Sequence, residues 1–164
     1  MEPVFVLDRG LSFPSERLVL RERTEMLVLH HTGGMAGEDP DAAQIDAIHR
    51  GLCWTGVGYH YLIRKDGTIE KGRPAVLIGA HAEGANARSI GVALSGNFCE
   101  EEPTPAQIES CAMLLSTLSE AFDVPLDTEH VLGHCDLAAT ACPGEALYDM
   151  IPEIVGKAVW YSEQ

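Results

Sequence analysis

Apolar positions along this chain follow two rhythms. Met26-Leu27-Val28-Leu29 is an unbroken apolar run, the pattern of a short strand covered on both faces. It ends in His30-His31-Thr32-Gly33-Gly34, two imidazoles followed by a flexible turn. Residues 59–63 read as a second strand, and Lys65-Asp66-Gly67-Thr68 supplies an Asp-Gly hairpin turn. A return strand near 68–71 is therefore predicted antiparallel to it. Residues 90–94 and the pair Val131-Leu132 are further strand candidates, the last leading into Gly133-His134. The helical rhythm begins at Asp39-Pro40, which reads as an N-cap and first helical position. Ile45, Ile48 and Leu52 follow at helical spacing and predict a helix near 40–51. Thr104-Pro105-Ala106-Gln107 is a capping box with proline at the first position. The stripe Ile108, Cys111, Leu115, Leu118 and Phe122 behind it predicts a helix over 105–122. A last helix is expected after Pro143-Gly144, with Leu147, Ile151 and Ile154 inward and a kink at Pro152. Residues 1–24 read as irregular.

This order of strands and helices predicts an α/β fold, a single domain with a mixed central sheet flanked by helices. The chain has 164 residues, of which 46% are hydrophobic and 22% charged, values of a globular protein that needs no disulfide scaffold. The expected division is an extension over 1–24 that packs on a domain over 25–164. No apolar run approaches the ~18 residues of a membrane-spanning helix. The start of the chain lacks the basic and apolar regions of a secretory signal, so synthesis in the cytoplasm is expected. The net charge is −14, and it is lopsided: residues 83–164 hold 14 acids and 2 bases. Such a surface repels nucleic acid and anionic membranes, and neither is expected as a partner. The five cysteines are odd in number, which argues against a disulfide framework and for thiols or a metal ligand.

The candidate chemistry sits where strands end. A catalytic zinc takes three nitrogen, sulfur or oxygen ligands and keeps one position open. His30 ends one predicted strand, His134 ends another, and Cys142 lies eight residues further on, before a Pro-Gly turn. Two imidazoles and a thiolate make an open zinc site. By spacing alone these residues read sooner as hydrogen-bonded core histidines and a small core hydrophobe than as ligands.

The chain resembles the zinc-dependent N-acetylmuramoyl-L-alanine amidases of the phage-lysozyme and peptidoglycan-recognition-protein type. The resemblance rests on ordered segments: Leu27-Val28-Leu29-His30-His31-Thr32, Gly58-Tyr59-His60-Tyr61-Leu62-Ile63, Asp66-Gly67-Thr68-Ile69 with Gly72-Arg73, and Gly79-Ala80-His81-Ala82 with Asn86. Ser89-Ile90-Gly91-Val92, Thr104-Pro105-Ala106-Gln107, Gly133-His134 and Ala141-Cys142-Pro143-Gly144 follow. It implies one zinc ion held by His30, His134 and Cys142, with Tyr59 and Thr140 as catalytic residues. Further, it implies His81, Asn86 and His31 on the substrate side, with His81 alternatively a group behind a ligand, and His60 structural. His49 and His130 fall in no motif. Thr140 stands where phage enzymes carry lysine and recognition-protein amidases threonine. Ala93 stands where cytoplasmic recycling amidases place a glutamate, so the tyrosine-type mechanism is expected. The implied substrate is peptidoglycan or a muropeptide, cut at the amide joining N-acetylmuramic acid to L-alanine by a monomer. The alternatives are a non-catalytic muropeptide-binding module and a cytoplasmic amidase of soluble muropeptides. A phage-type enzyme would instead meet the wall on release.

Overall fold

The computed structural model describes residues 3–164. Six strands form one mixed sheet: β1 (Val6–Leu7), β2 (Met26–His31), β3 (Tyr61–Ile63), β4 (Ile69–Lys71), β5 (Ser89–Leu94) and β6 (Val131–Gly133), in the order β1-β4-β3-β5-β2-β6. β3, β5, β2 and β6 run parallel, β4 opposes β3 across the Asp-Gly turn, and β1 runs with β4 along the edge. Four helices accompany the sheet: α1 (Ala42–Gly51), α2 (Pro105–Phe122), α3 (Glu145–Tyr148) and α4 (Ile151–Ser162).

Strand alternation divides the sheet into a packed face and a working face. On β5, Ile90, Val92 and Leu94 point with Leu27 and Leu29 of β2 into the core beneath α2 and α4. The intervening residues of β5 are Ser89, Gly91 and Ala93, all small. They lie beside Met26, Val28 and His30 of β2 in register, so the opposite face has room for large polar side chains. β2 is apolar on both faces because both are covered. α2 starts and ends where its capping box and apolar stripe place it, with Thr104 accepting from the Gln107 amide at 3.1 Å.

Several local expectations are corrected. α1 is capped by Asp41, not Asp39: Asp41 forms a capping box with Gln44, while the Asp39 carboxylate is held by Arg64 and accepts from the Lys65 amide. Ile48 and Leu52 are exposed, and α1 instead buries Ala42, Ile45, Asp46 and His49. Asp46 and His49 turn inward because they accept from the backbone N–H groups of Val57 and Gly58, at 2.8 and 2.9 Å. The strand expected from residue 59 begins at Tyr61. The single final helix is two, because Pro152 has no N–H and its ring excludes the carbonyl four residues back; it sits in the first turn of α4. The N-terminal segment contributes strand β1 and a 3₁₀ turn at Ser15–Arg17, so it is not wholly irregular.

Glu70 pins this segment to the domain. Its fully buried carboxylate accepts two bonds from Arg9 at 2.8 Å and one from the Ala42 amide at 2.8 Å, and faces Arg64 at 3.4 Å. Burial by itself raises a carboxyl pKa, but the Arg9 bonds, the Ala42 amide and Arg64 outweigh it and hold Glu70 below the usual range. A depressed folded-state pKa contributes stability that is present above the unfolded value of about 4.3 and lost as pH falls through the folded one. Glu70→Gln should therefore destabilise the protein by about 1.5–3 kcal/mol at neutral pH, the range for bonds to charged groups. In urea titrations the gap to wild type should narrow as pH drops below about 4.3; a gap that is constant with pH would remove the carboxylate charge from the account.

Candidate metal centre and its cleft

The parallel pairing of β2 with β6 sets Leu29 opposite Gly133, so the residues that follow, His30 and His134, stand side by side at the carboxyl ends of adjacent strands. Their ring centroids are 4.6 Å apart. The turn after His134 folds back and brings Cys142 to the same point, with its Sγ 3.6 Å from His30 Nδ1. One ligand atom from each of the three residues lies within 4.8 Å of the others. Tetrahedral zinc, with bonds of about 2.0–2.1 Å to nitrogen and 2.3 Å to sulfur, separates a nitrogen from a sulfur by about 3.6 Å. The donor set and its spacing fit zinc with a fourth position left open.

The electrostatics agree with that chemistry. Burial, then the neighbouring histidines His81 and His134, push His30 well below the ordinary imidazole pKa, and burial lowers His134 as well. Both are therefore neutral and able to ligate at neutral pH. Burial pushes the Cys142 thiol up to about 12. A bound dication reverses that preference, because thiolate is the form a metal stabilises. All five cysteines are free thiols.

A cleft of about 630 Å³ opens over the three residues. Tyr59 stands in its wall, 5.0 Å from the His30 ring between centroids. Burial and then Cys142 raise its phenol above the ordinary value, so it keeps its proton. Thr140 also lines the cleft and accepts from the Cys142 amide at 3.2 Å, which leaves its hydroxyl proton available. His31 lines the cleft too, but its Nδ1 accepts from the Phe98 amide at 3.1 Å. Asn86 Oδ1 accepts the amides of His81 and Ala82, at 2.8 and 2.9 Å. His81 is buried, with Nδ1 2.9 Å from His30 Nε2 and Nε2 3.2 Å from Ser89 Oγ.

The remaining histidines divide. His60 is fully buried, accepts from the Gly91 amide at 2.9 Å through Nδ1 and donates to the Leu77 carbonyl at 2.8 Å through Nε2. Burial drives its pKa to about 3, so it stays neutral. His130 pairs with Asp127 and is absent from the cleft lining. His49 corrects expectation: it lines the cleft with Trp54, their rings 4.6 Å apart, and faces Tyr59 at 5.5 Å. The one sequence clue was a histidine five residues before a tryptophan at the end of a helix. Its burial depends on Gly58, a partner outside the helix.

Comparison with known proteins places these residues in context. The profile of the N-acetylmuramoyl-L-alanine amidase family matches residues 20–145, a span that contains His30, Tyr59, His134, Thr140 and Cys142. The endolysin of Enterobacteria phage T3 is 34% identical over 128 residues, covering 75% of this chain and 82% of its own. The solved structure of the N-acetylmuramoyl-L-alanine amidase LysC from Clostridium intestinale URNW superposes with a TM-score of 0.83 at 34% identity, covering 93% of this chain and 97% of its own. Peptidoglycan recognition protein-LE, solved in complex with tracheal cytotoxin (a monomeric diaminopimelic acid-type peptidoglycan), superposes with a TM-score of 0.76 at 26% identity, covering 89% and 91%.

Proposed function

This chain belongs to the N-acetylmuramoyl-L-alanine amidase family, and on that premise we propose that it works through one zinc ion held by His30, His134 and Cys142. It hydrolyses the amide between N-acetylmuramic acid and L-alanine in peptidoglycan. The observation that carries the zinc reading is the convergence of two imidazoles and a thiol, with ligand atoms within 4.8 Å of one another, in the cleft. When bound, zinc polarises the amide carbonyl and makes water a nucleophile near neutral pH.

The protein's own groups handle the rest. As the carbonyl carbon becomes tetrahedral, charge builds on its oxygen. Tyr59, protonated and beside His30, donates to that oxygen. Thr140 adds a neutral hydroxyl from the opposite turn, weaker than a fixed cation at the same place. The proton given up by the attacking water is the one the departing L-alanine amine takes up, and Tyr59 or solvent relays it, so that the phenol ends protonated as it began. His31 and Asn86 line the wall against which the muropeptide lies. Cell-wall peptidoglycan met as a phage-type endolysin meets it is the substrate favoured, because several phage endolysins are 34% identical to this chain over 82% of their own length. Among the described residues no helix is long and apolar enough to cross a membrane.

The test measures zinc per chain alongside the L-alanine amino termini released from purified peptidoglycan, with and without a chelator. One zinc and chelator-sensitive release support the assignment. Release that survives complete removal of metal would sink the metal reading; bound zinc with no release from wall or soluble muropeptides would leave a recognition module.

A further inference from the structure

His30 has two ring nitrogens, and the structure uses both. Nδ1 faces Cys142 Sγ at 3.6 Å, which makes it the metal-facing atom. Nε2 faces His81 Nδ1 at 2.9 Å, deep in the protein. From His81 the chain of contacts continues through Nε2 to Ser89 Oγ at 3.2 Å, and from Ser89 Oγ to the Ala85 carbonyl at 2.7 Å. The direction of every proton is set from the far end. A carbonyl can only accept, so the single Ser89 hydroxyl proton goes to Ala85. Ser89 Oγ then accepts from His81, which places the His81 proton on Nε2 and leaves its Nδ1 a bare acceptor. That acceptor takes the His30 proton on Nε2 and leaves His30 Nδ1 with a free lone pair facing the metal position.

We propose that His81 is a positioning residue that holds His30 in the tautomer and ring orientation needed to ligate through Nδ1. This rests on the reading of His30 as a zinc ligand. The fold makes a place for the device. Gly91 and Gly79 leave the space that the imidazole fills: a Cβ on Gly91 would come within 2.5 Å of His81 Cγ, and one on Gly79 within 2.8 Å of His81 Cδ2. Asn86 grips the His81 backbone from the other side. Both nitrogens of His81 are engaged inside the protein, so it has none to offer a substrate. The chain also ends on a carbonyl that cannot be protonated at neutral pH, so it cannot carry a proton out of the site. A hydrogen-bonded partner behind a ligating histidine fixes its tautomer and strengthens it as a ligand, typically contributing 10–100-fold in metal affinity.

The first measurement is long-range ¹H–¹⁵N correlation spectroscopy of the histidine rings in the metal-free protein. Both His30 and His81 should carry their proton on Nε2 before any metal is added. A proton on His30 Nδ1 overturns the proposal whatever the zinc content. The second measures zinc affinity by competition with a chromogenic chelator. His81→Phe keeps a ring but removes the acceptor and should weaken zinc about 10–100-fold. His81→Asn, whose carboxamide oxygen can sit near the place of Nδ1, should recover most of that loss. If His81→Phe binds zinc as tightly as wild type, His81 does not support the ligand. A wild-type protein that binds no zinc fails the ligand reading itself, and the ring spectra then judge the His81–His30 lock on its own. Should His81→Phe not fold, the spectra of the wild-type protein decide.

Discussion

Cys142→Ser is expected to abolish zinc binding and amide hydrolysis together. The site offers three donors, and the sulfur is the only one that carries formal charge once deprotonated, so it contributes most to holding a dication. A serine hydroxyl is a poor replacement. It is far harder to deprotonate than a thiol, and its shorter bond to carbon moves the donor away from the 3.6 Å separation seen between Cys142 Sγ and His30 Nδ1. The fold should survive, because Cys142 is half-buried in a turn and stands outside the three core clusters. His134→Ala should give the same double loss. Metal analysis, circular dichroism and amine release on one preparation check the expectation. A folded variant that lacks zinc yet turns over at the wild-type rate would separate the metal from the chemistry and overturn the mechanism.

Tyr59→Phe should behave in the opposite way, keeping the metal and losing the rate. The phenol is not among the three ligand atoms, and its ring packs against His30 with or without the hydroxyl. What the substitution removes is a neutral donor whose proton is retained by burial. Loss of one oxyanion donor costs about 10²–10³-fold in turnover, equivalent to about 2.7–4 kcal/mol of transition-state stabilisation. The expected pattern is therefore one zinc per chain, an unchanged fold, a similar KM and a kcat lower by that factor. Wild-type kcat in this variant would take Tyr59 out of the reaction. A loss confined to KM would make it a substrate contact.

The hydrophobic pattern and the short motifs by themselves determine much about this protein. The β2 run, the Asp-Gly hairpin and the capping box of α2 are legible because each depends on residues within one turn or one strand of each other. The pairing of His30 with His134 and Cys142 was legible only through a family resemblance, since three residues so far apart in sequence meet through the parallel register of β2 with β6 and the fold-back of the next turn. Tertiary structure alone decided which face of α1 is buried. Ile48 and Leu52 follow helical spacing and yet lie in solvent, while Asp46 and His49 turn inward. The reason is that Val57 and Gly58 present backbone N–H groups there, and a buried donor without an acceptor costs more than an exposed isoleucine. The same demand explains Asp39, drawn off to Arg64, and His81, drawn behind His30 by the small residues of β5. Local pattern can state what a segment prefers. It contains no record of the distant polar groups that must be satisfied, and in this protein those groups decide how His49 and His81 stand around the cleft.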